Sequence, residues 1–320
     1  MLSNVVGFCY AVDMEIVVSG SHGFIGSAVV ASLRASGHRV TRLARSKPTS
    51  GADAVLWDPV AGTVDLTQLQ AVDAVVHLAG ASIVSGRWTP RRKSLIRDSR
   101  VRGTRTLCEA LAKLATPPRA LLCASAIGYY GDRGDEVLTE DSPAGAGFLA
   151  TVCREWEGAS VSTAQRGVRV VHLRFGMVLS PAGGALAKML PPFRLGLGGP
   201  LGDGRQYMSW VSLEDVLGAI HHALETEALR GAVNVVSPQP VTNRAFTRAL
   251  GRVLSRPTVL PAPAPLLRLL LGELADEALL ASARVMPTRL QATAYAFRHP
   301  ELEGALRHLL SSSALGGREW

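Results

Sequence analysis

From Glu15 the chain runs Ile-Val-Val-Ser, an apolar, β-branched block of strand length, and then its period changes. Ile25, Val29, Val30 and Leu33 recur at helical spacing as far as Gly37. The same alternation repeats downstream. Strand-like blocks are predicted at residues 39–43, 54–57, 74–78, 120–125, 169–175 and 233–236. Helical periods are predicted at 91–114, 146–165, 185–193, 213–226 and 243–254. Strands alternating with helices in this order predict an α/β fold with a doubly wound, mostly parallel sheet. After Phe175 the order loosens into Gly- and Pro-rich stretches at 180–184 and 196–200 and a Pro-rich joint at 257–265, the composition of a substrate cap. No internal repeat interrupts the pattern.

The first change of period falls on Gly20-Ser21-His22-Gly23-Phe24-Ile25-Gly26. In a strand-to-helix turn these glycines have separate duties. Gly20 ends the strand tightly, Gly23 lets backbone N–H groups approach a pyrophosphate, and Gly26 lets the helix lie close on the strand, with its positive end toward the phosphates. The strand before and the second strand after supply the βαβ context that this motif requires.

Length and composition fit a large globule. With 320 residues and 47% hydrophobic residues the chain can bury a full core. No apolar run reaches the ~20 residues of a membrane span. The richest, residues 266–281, is broken by Arg268, Glu273, Asp276 and Glu277. Residues 1–13 lack the charged start and cleavage pattern of a secretory signal, and Met14 directly precedes the first strand, so they are expected to be a disordered or misannotated extension. Cys9, Cys108, Cys123 and Cys153 are far apart without CxxC spacing, which fits reduced cytoplasmic thiols rather than disulfides or a metal site. Net charge is +8, and residues 87–105 carry eight basic side chains against one Asp. Leu95, Ile96, Val101 and Leu107 give that run one buried face, and after Trp88 at its start no aromatic is interleaved with it. Its arginines therefore suit local phosphate capture rather than nucleic acid.

Several motifs together resemble the extended short-chain dehydrogenase/reductases, also called the NAD-dependent epimerase/dehydratase family. Besides the glycine turn, Asp73-Ala-Val-Val-His77-Leu78-Ala79-Gly80 looks like the family's fourth strand. Arg100-Val-Arg-Gly-Thr104 is similar to its NVxGT, with Arg100 in the Asn position, and residues 202–215 resemble its late GxGxQxRDFVxVxD segment. Arg87-Trp88-Thr, Lys93, Ser125-Ala-Ile-Gly-Tyr-Tyr130-Gly, Gly147-Phe-Leu, Trp156-Glu157 and Pro240-Val-Thr-Asn243 look like an epimerase-like subgroup with its own C-terminal domain. The resemblance implies a Rossmann domain at 14–176 whose core includes parts of 205–240, substrate-side segments at 177–256 and a family-specific domain at 257–320.

The departures from the parent family bear on chemistry. The family pairs Tyr and Lys as YxxxK, where the lysine lowers the tyrosine pKa and the phenol exchanges a proton with the substrate during hydride transfer. This chain has no YxxxK. Anchoring the helix on Trp156-Glu157 puts Leu149 and Cys153 in the two positions; a one-residue shift puts Phe148 and Val152 there. The pair Tyr129 and Arg133 falls in a Gly-rich loop rather than on a helix. Ser125, or in an ungapped count Ala126, stands where the family keeps a hydroxyl against the substrate carbonyl. Of Tyr129 and Tyr130 one is core and one faces the site, with Tyr130 taken as the catalytic candidate beside Ser125. His77 is read as structural.

Arg87, Trp88, Lys93, Arg174 and Gln206 are the candidate substrate contacts. Where nucleotide-sugar enzymes keep an Arg for the substrate diphosphate, this chain has Met208, and a thioether cannot neutralise a diphosphate. A small carbonyl or hydroxyl compound is the expected substrate. A homodimer remains an open option.

Cofactor choice follows from the end of the second strand. The acid that would accept the ribose hydroxyls of NAD is expected 18–20 residues beyond Gly26. The chain instead reads Leu43-Ala44-Arg45-Ser46-Lys47, which offers cations and a hydroxyl to a 2′-phosphate. NADP(H) is the expected cofactor. Its expected contacts are Gly20, Ser21, Gly23, Phe24, Ile25, Gly26, Arg45, Ser46, Asp58 (to the adenine amine), Leu78, Ala79, Gly80, Arg100 and Cys153. Two functions stay open: an NADP(H)-dependent oxidoreductase or epimerase-like enzyme, and a redox sensor or scaffold that binds NADP(H) without turnover.

Overall fold

The computed structural model describes residues 13–46, 54–65, 67, 69 and 71–315. Cys9, Lys47 and all of the expected N-terminal extension but Asp13 lie outside the described residues. The first half of the chain forms β1 (Glu15–Ser19), α1 (Phe24–Ala35), β2 (Arg39–Ala44), β3 (Ala54–Asp58), β4 (Thr63–Val64), β5 (Ala74–His77), α2 (Pro90–Leu111), β6 (Ala120–Ala126), β7 (Val137–Leu138), α3 (Phe148–Gly158) and α4 (Val161–Gln165). The second half forms β8 (Arg169–Phe175), β9 (Met177–Ser180), α5 (Gly184–Arg194), β10 (Tyr207–Met208), β11 (Trp210–Ser212), α6 (Leu213–Glu225), β12 (Gly231–Val235), β13 (Val241–Thr242) and α7 (Asn243–Leu254). It ends with α8 (Ala264–Leu271), a π-helical turn (Ala275–Leu280), β14 (Arg284–Val285), α9 (Thr288–Ala292) and α10 (Leu302–Leu315).

Eight strands make the central sheet in the order β12-β8-β6-β5-β1-β2-β3-β4, and only the edge pair β3–β4 is antiparallel. Alternation along β1 shows how it is covered. Ile16 and Val18 join α1 and α6 in one apolar layer, whereas Val17 faces the layer of Leu107 and Leu111 from α2. A third cluster joins Trp210, Phe246, α5, α7 and α10 beside the sheet. None of the described helices is long and apolar enough to cross a membrane.

The predicted helix at 146–165 is two helices. Gly158 ends α3, and Ser160 turns its hydroxyl to the His172 ring on β8 at 2.8 Å, which pulls the break down onto the sheet. The fifth predicted strand, β6, runs one residue further, to Ala126.

His77 closes β5 and is fully buried. Its ring lies 2.6 Å from Ser19 Oγ and 2.9 Å from Thr104 Oγ1, and Thr104 also accepts the Trp156 indole N–H, so the ring is a structural link between β1, α2 and α3. Burial pushes its pKa down from 6.5 to about 4. Between those values the unfolded chain binds a proton that the folded chain refuses, so stability falls as pH drops from 6.5 to about 4 and is unaffected by this group above 7. The full loss is about 3 kcal/mol. Urea unfolding at successive pH values is expected to show this slope in the wild type and to lose about one proton of it in His77→Gln; an equal slope in both would show that the ring is not desolvated.

Candidate functional site

In sheets of this order ligands bind where the strand order reverses, outside the carboxyl ends of the strands. Here that point lies between β1 and β5, and the glycine turn occupies it. Gly20 has φ +67°, and a Cβ there would stand 2.7 Å from the Leu78 carbonyl carbon and 2.8 Å from Ala79 N. The glycine therefore lets the β1 and β5 loops touch. A Cβ at Gly26 would lie 2.1 Å from Gly20 O, so no other residue fits under the turn. Gly23 is different: it opens α1 with φ −78°, no side chain caps the helix, and a Cβ would meet only Gly20 O at 3.2 Å. The start of α1 thus keeps first-turn amides available to an anion. Ser21 is buried with its hydroxyl 3.4 Å from the His22 ring; Phe24 lies on the Gly183–Gly184 turn and Ile25 on the core.

At the ends of the neighbouring strands Arg45 and Ser46 are exposed. Asp58 Oδ1 accepts from Val60 N at 2.8 Å and Ala61 N at 3.0 Å, and these bonds, with a smaller effect from Arg45, hold its carboxyl below the usual range. One oxygen of the residue expected to reach adenine is therefore spent on its own turn.

On the other side Leu78, Ala79 and Gly80 line the end of β5. Arg100 reaches up from α2: Nη1 donates to Ala81 O at 2.9 Å and Ile96 O at 3.0 Å, the guanidinium lies 5.0 Å over the Trp156 ring, and a Cβ at Gly80 would touch it at 3.2 Å. Burial lowers its pKa. Cys153 faces Arg100 and the Ala126 amide, and burial pushes its thiol up to about 12. The thiol is neutral there, so the positive charge beside it is that of Arg100 on α2. Leu149 lies against Gly128, while Phe148 turns instead to Trp88, ring centroids 5.1 Å apart.

The two catalytic candidates are more deeply set than their motif implies. Ser125, 3% exposed, donates to Glu157 Oε1 at 2.6 Å. Glu157 is clamped by Arg174, with Nε–Oε1 and Nη2–Oε2 both 2.8 Å. Arg174 was expected at the substrate. Instead it is 3% exposed, bound to Glu157 and to Tyr130 Oη (2.9 Å), and 3.5 Å over the Tyr129 ring. Burial works against its charge, but the hydrogen bonds and charge of Glu157 and Tyr130 outweigh it and raise its pKa. Tyr130 is likewise corrected. It is fully buried, and its hydroxyl donates to Asn234 Oδ1 at 2.7 Å, so this is the core tyrosine and Tyr129 the half-buried one. Burial raises the Tyr130 pKa, which suits a structural phenol.

Of the remaining substrate candidates, Arg87, Lys93 and Gln206 meet the C-terminal segment. Arg87 donates to Leu269 O at 3.1 Å, and Trp88 Nε1 to Ile83 O at 2.8 Å. Lys93 pairs with Glu273 at 2.8 Å and lies 4.5 Å over the Phe148 ring. Gln206 is buried, with Nε2 donating to Leu201 O and Leu279 O at 3.1 Å each, so it ties the π-helical turn down rather than facing an open cleft. Met208 Sδ accepts from Asn243 Nδ2 at 3.2 Å. Two functional groups escaped the sequence reading. Glu157 served there only as an alignment anchor, and Glu277 as an interruption of an apolar run. Glu277 caps α3, accepting from Phe148 N at 2.9 Å and Leu149 N at 3.0 Å, and the cap is possible because a Cβ on Gly147 would collide with it.

Residues 16–236 match the NAD dependent epimerase/dehydratase family, and residues 262–309 match a domain of unknown function, DUF1731. An epimerase family protein of Mycobacterium bovis is 45% identical over 291 residues, covering 91% of this chain and 96% of that protein. The crystal structure of human epimerase family protein SDR39U1 (isoform 2) with NADPH has a TM-score of 0.84 and 34% identity, covering 93% of this chain and 99% of that one. MoeE5 in complex with UDP-glucuronic acid and NAD, 21% identical with a TM-score of 0.74 over 94% of this chain and 99% of its own, shares the fold. The glycine turn at the β1–β5 switch point and the full-length likeness to these relatives agree: the chain belongs to the NAD-dependent epimerase/dehydratase family of extended short-chain dehydrogenases/reductases.

Proposed function

We propose that the protein binds NADP(H) in the β1–β5 crevice and acts as an oxidoreductase or epimerase-like enzyme on a small carbonyl or hydroxyl compound. The observation that carries this reading is the uncapped start of α1 at Gly23, with the exposed guanidinium of Arg45 one strand away. The human relative solved with NADPH supports it. When bound, NADP(H) supplies or accepts a hydride.

The chain's own residues then have distinct tasks. The amides of 24–26 take the pyrophosphate, Arg45 and Ser46 the 2′-phosphate, and Arg100 the positive role that YxxxK enzymes give to lysine. Ser125 spends its proton on Glu157, so toward a substrate its oxygen presents lone pairs. It accepts from a hydroxyl group rather than donating to a carbonyl. Glu157 neutralises Arg174, Glu273 neutralises Lys93, and position 208 is Met, so none of these three offers a free cation to a nucleotide-sugar diphosphate.

A sensor without turnover is the second reading. It is favoured by the absence of YxxxK from the chain and by the engaged hydroxyl of Tyr130. NADPH titration and a panel of hydroxyl and carbonyl compounds separate the two: NADP⁺ reduction or NADPH oxidation that Ser125→Ala slows supports the enzyme, and tight binding with no turnover across the panel replaces it with the sensor. Gly23→Val is expected to abolish NADPH binding while unfolding remains cooperative, because φ −78° suits any residue and the new side chain enters the phosphate space. Unchanged affinity would remove the cofactor assignment.

A further inference from the structure

Away from the crevice, two imidazoles converge on one carboxylate. Glu214 stands in the first turn of α6, His299 in the loop before α10, and His308 on α10. His299 Nε2 is 2.9 Å from Glu214 Oε2, and His308 Nε2 is 2.8 Å from Glu214 Oε1. The two rings stack with centroids 4.5 Å apart and planes at 29°, and the three ligand atoms all lie within 4.8 Å of one another. Two histidines side by side, each aiming the same ring nitrogen at the same carboxylate, form a converging donor set.

We propose that Glu214, His299 and His308 bind a divalent transition ion of the zinc class, which ties α10 to α6. Zinc takes imidazole nitrogen at about 2.0–2.1 Å and carboxylate oxygen at about 2.0–2.2 Å, four-coordinate. Two nitrogens and one oxygen fill three positions and water the fourth. Small rotations separate the nitrogen–oxygen contacts and bring the imidazoles together, and the exposure of these side chains, 15% for His299, 36% for Glu214 and 44% for His308, leaves room for both movements and for entry of the ion. The frame behind the ligands is fixed. Buried Asp215 accepts from Arg298 N at 2.7 Å and His299 N at 3.1 Å, and is itself bound by Ser212 Oγ at 2.8 Å, so the loop and α6 are held together by the residue next to the ligand. The described cysteines, Cys108, Cys123 and Cys153, are buried and stand outside the set.

The test is calorimetric titration of ZnCl₂ into chelator-treated, tag-free full chain, with thermal unfolding beside it. One equivalent is expected to bind with Kd in the micromolar range or below, and saturation to raise Tm by about 3 °C or more. MgCl₂ is expected to give no heat, since magnesium prefers an octahedral oxygen shell. His308→Ala and Glu214→Gln, at exposed or half-buried positions, are expected to remain folded by circular dichroism and to lose zinc affinity at least tenfold. X-ray absorption on the loaded protein is expected to show nitrogen and oxygen but no sulfur neighbours. Absence of stoichiometric binding, equal affinity in both variants and the wild type, or sulfur ligation would each overturn the proposal.

Discussion

Glu157→Ala is expected to destabilise the protein by about 3–5 kcal/mol, because it leaves the Arg174 guanidinium inside the fold without its counter-charge. The side chains of the pair are 4% and 12% exposed, and both guanidinium N–H groups used by the carboxylate, on Nε and Nη2, would be vacated at once. Tyr130 Oη remains, but a neutral phenol cannot offset a buried cation. Ser125 loses the acceptor for its proton as well. The double variant Glu157→Leu/Arg174→Met removes the charge along with its partner and is expected to regain at least half of the loss. Urea unfolding of the three proteins at one pH measures this directly. A loss under about 1 kcal/mol in Glu157→Ala would mean that water reaches Arg174 and that the network is a surface feature.

Arg45→Asp is expected to weaken NADPH binding by at least about tenfold, and to leave NADH binding unchanged or improved. A charge-assisted hydrogen bond to the 2′-phosphate contributes roughly 1.5–3 kcal/mol, and the new carboxylate adds repulsion. The same carboxylate can accept the free ribose hydroxyl of NADH. Arg45 is exposed just beyond the end of β2, where its charge acts on the Asp58 carboxyl, so its replacement costs the fold little. Titration of both proteins with both cofactors at one ionic strength decides the matter. A wild type that binds NADH as tightly as NADPH, or a variant that keeps its NADPH preference, would remove Arg45 from the site and NADP(H) from the function.

The legible parts were those written in local pattern. The switch from β-branched strand to amphipathic helix across Gly20, Gly23 and Gly26 is visible because each glycine answers a backbone constraint within a few residues. The break between α3 and α4 was not, since both halves keep a helical period and the turn is drawn down by His172 on another strand. Arg174 and Tyr130 were misplaced for a related reason: a motif fixes position along the chain, but burial depends on Glu157 and Asn234, which lie on other elements. The apolar run at 266–281 shows the limit most clearly. Its four charges each have a partner in the fold, Arg268 with Asp276, Glu273 with Lys93 and Glu277 with the start of α3, and only the first of these pairings is local.

The cap on α3 ties the maturation of the site to the order in which the chain is made. Phe148 N and the carboxylate that satisfies it are 129 residues apart, so the contact closes a very long loop. Helix α3 can coil early on its own propensity, yet its leading amides stay open to water until the far end of the polypeptide has emerged and folded back. Growth of the parallel sheet is itself governed by distant pairings, which form slowly. A nascent chain that already displays the glycine turn therefore still lacks the cap on α3, which Glu277 alone supplies to Phe148 and Leu149 among the described contacts.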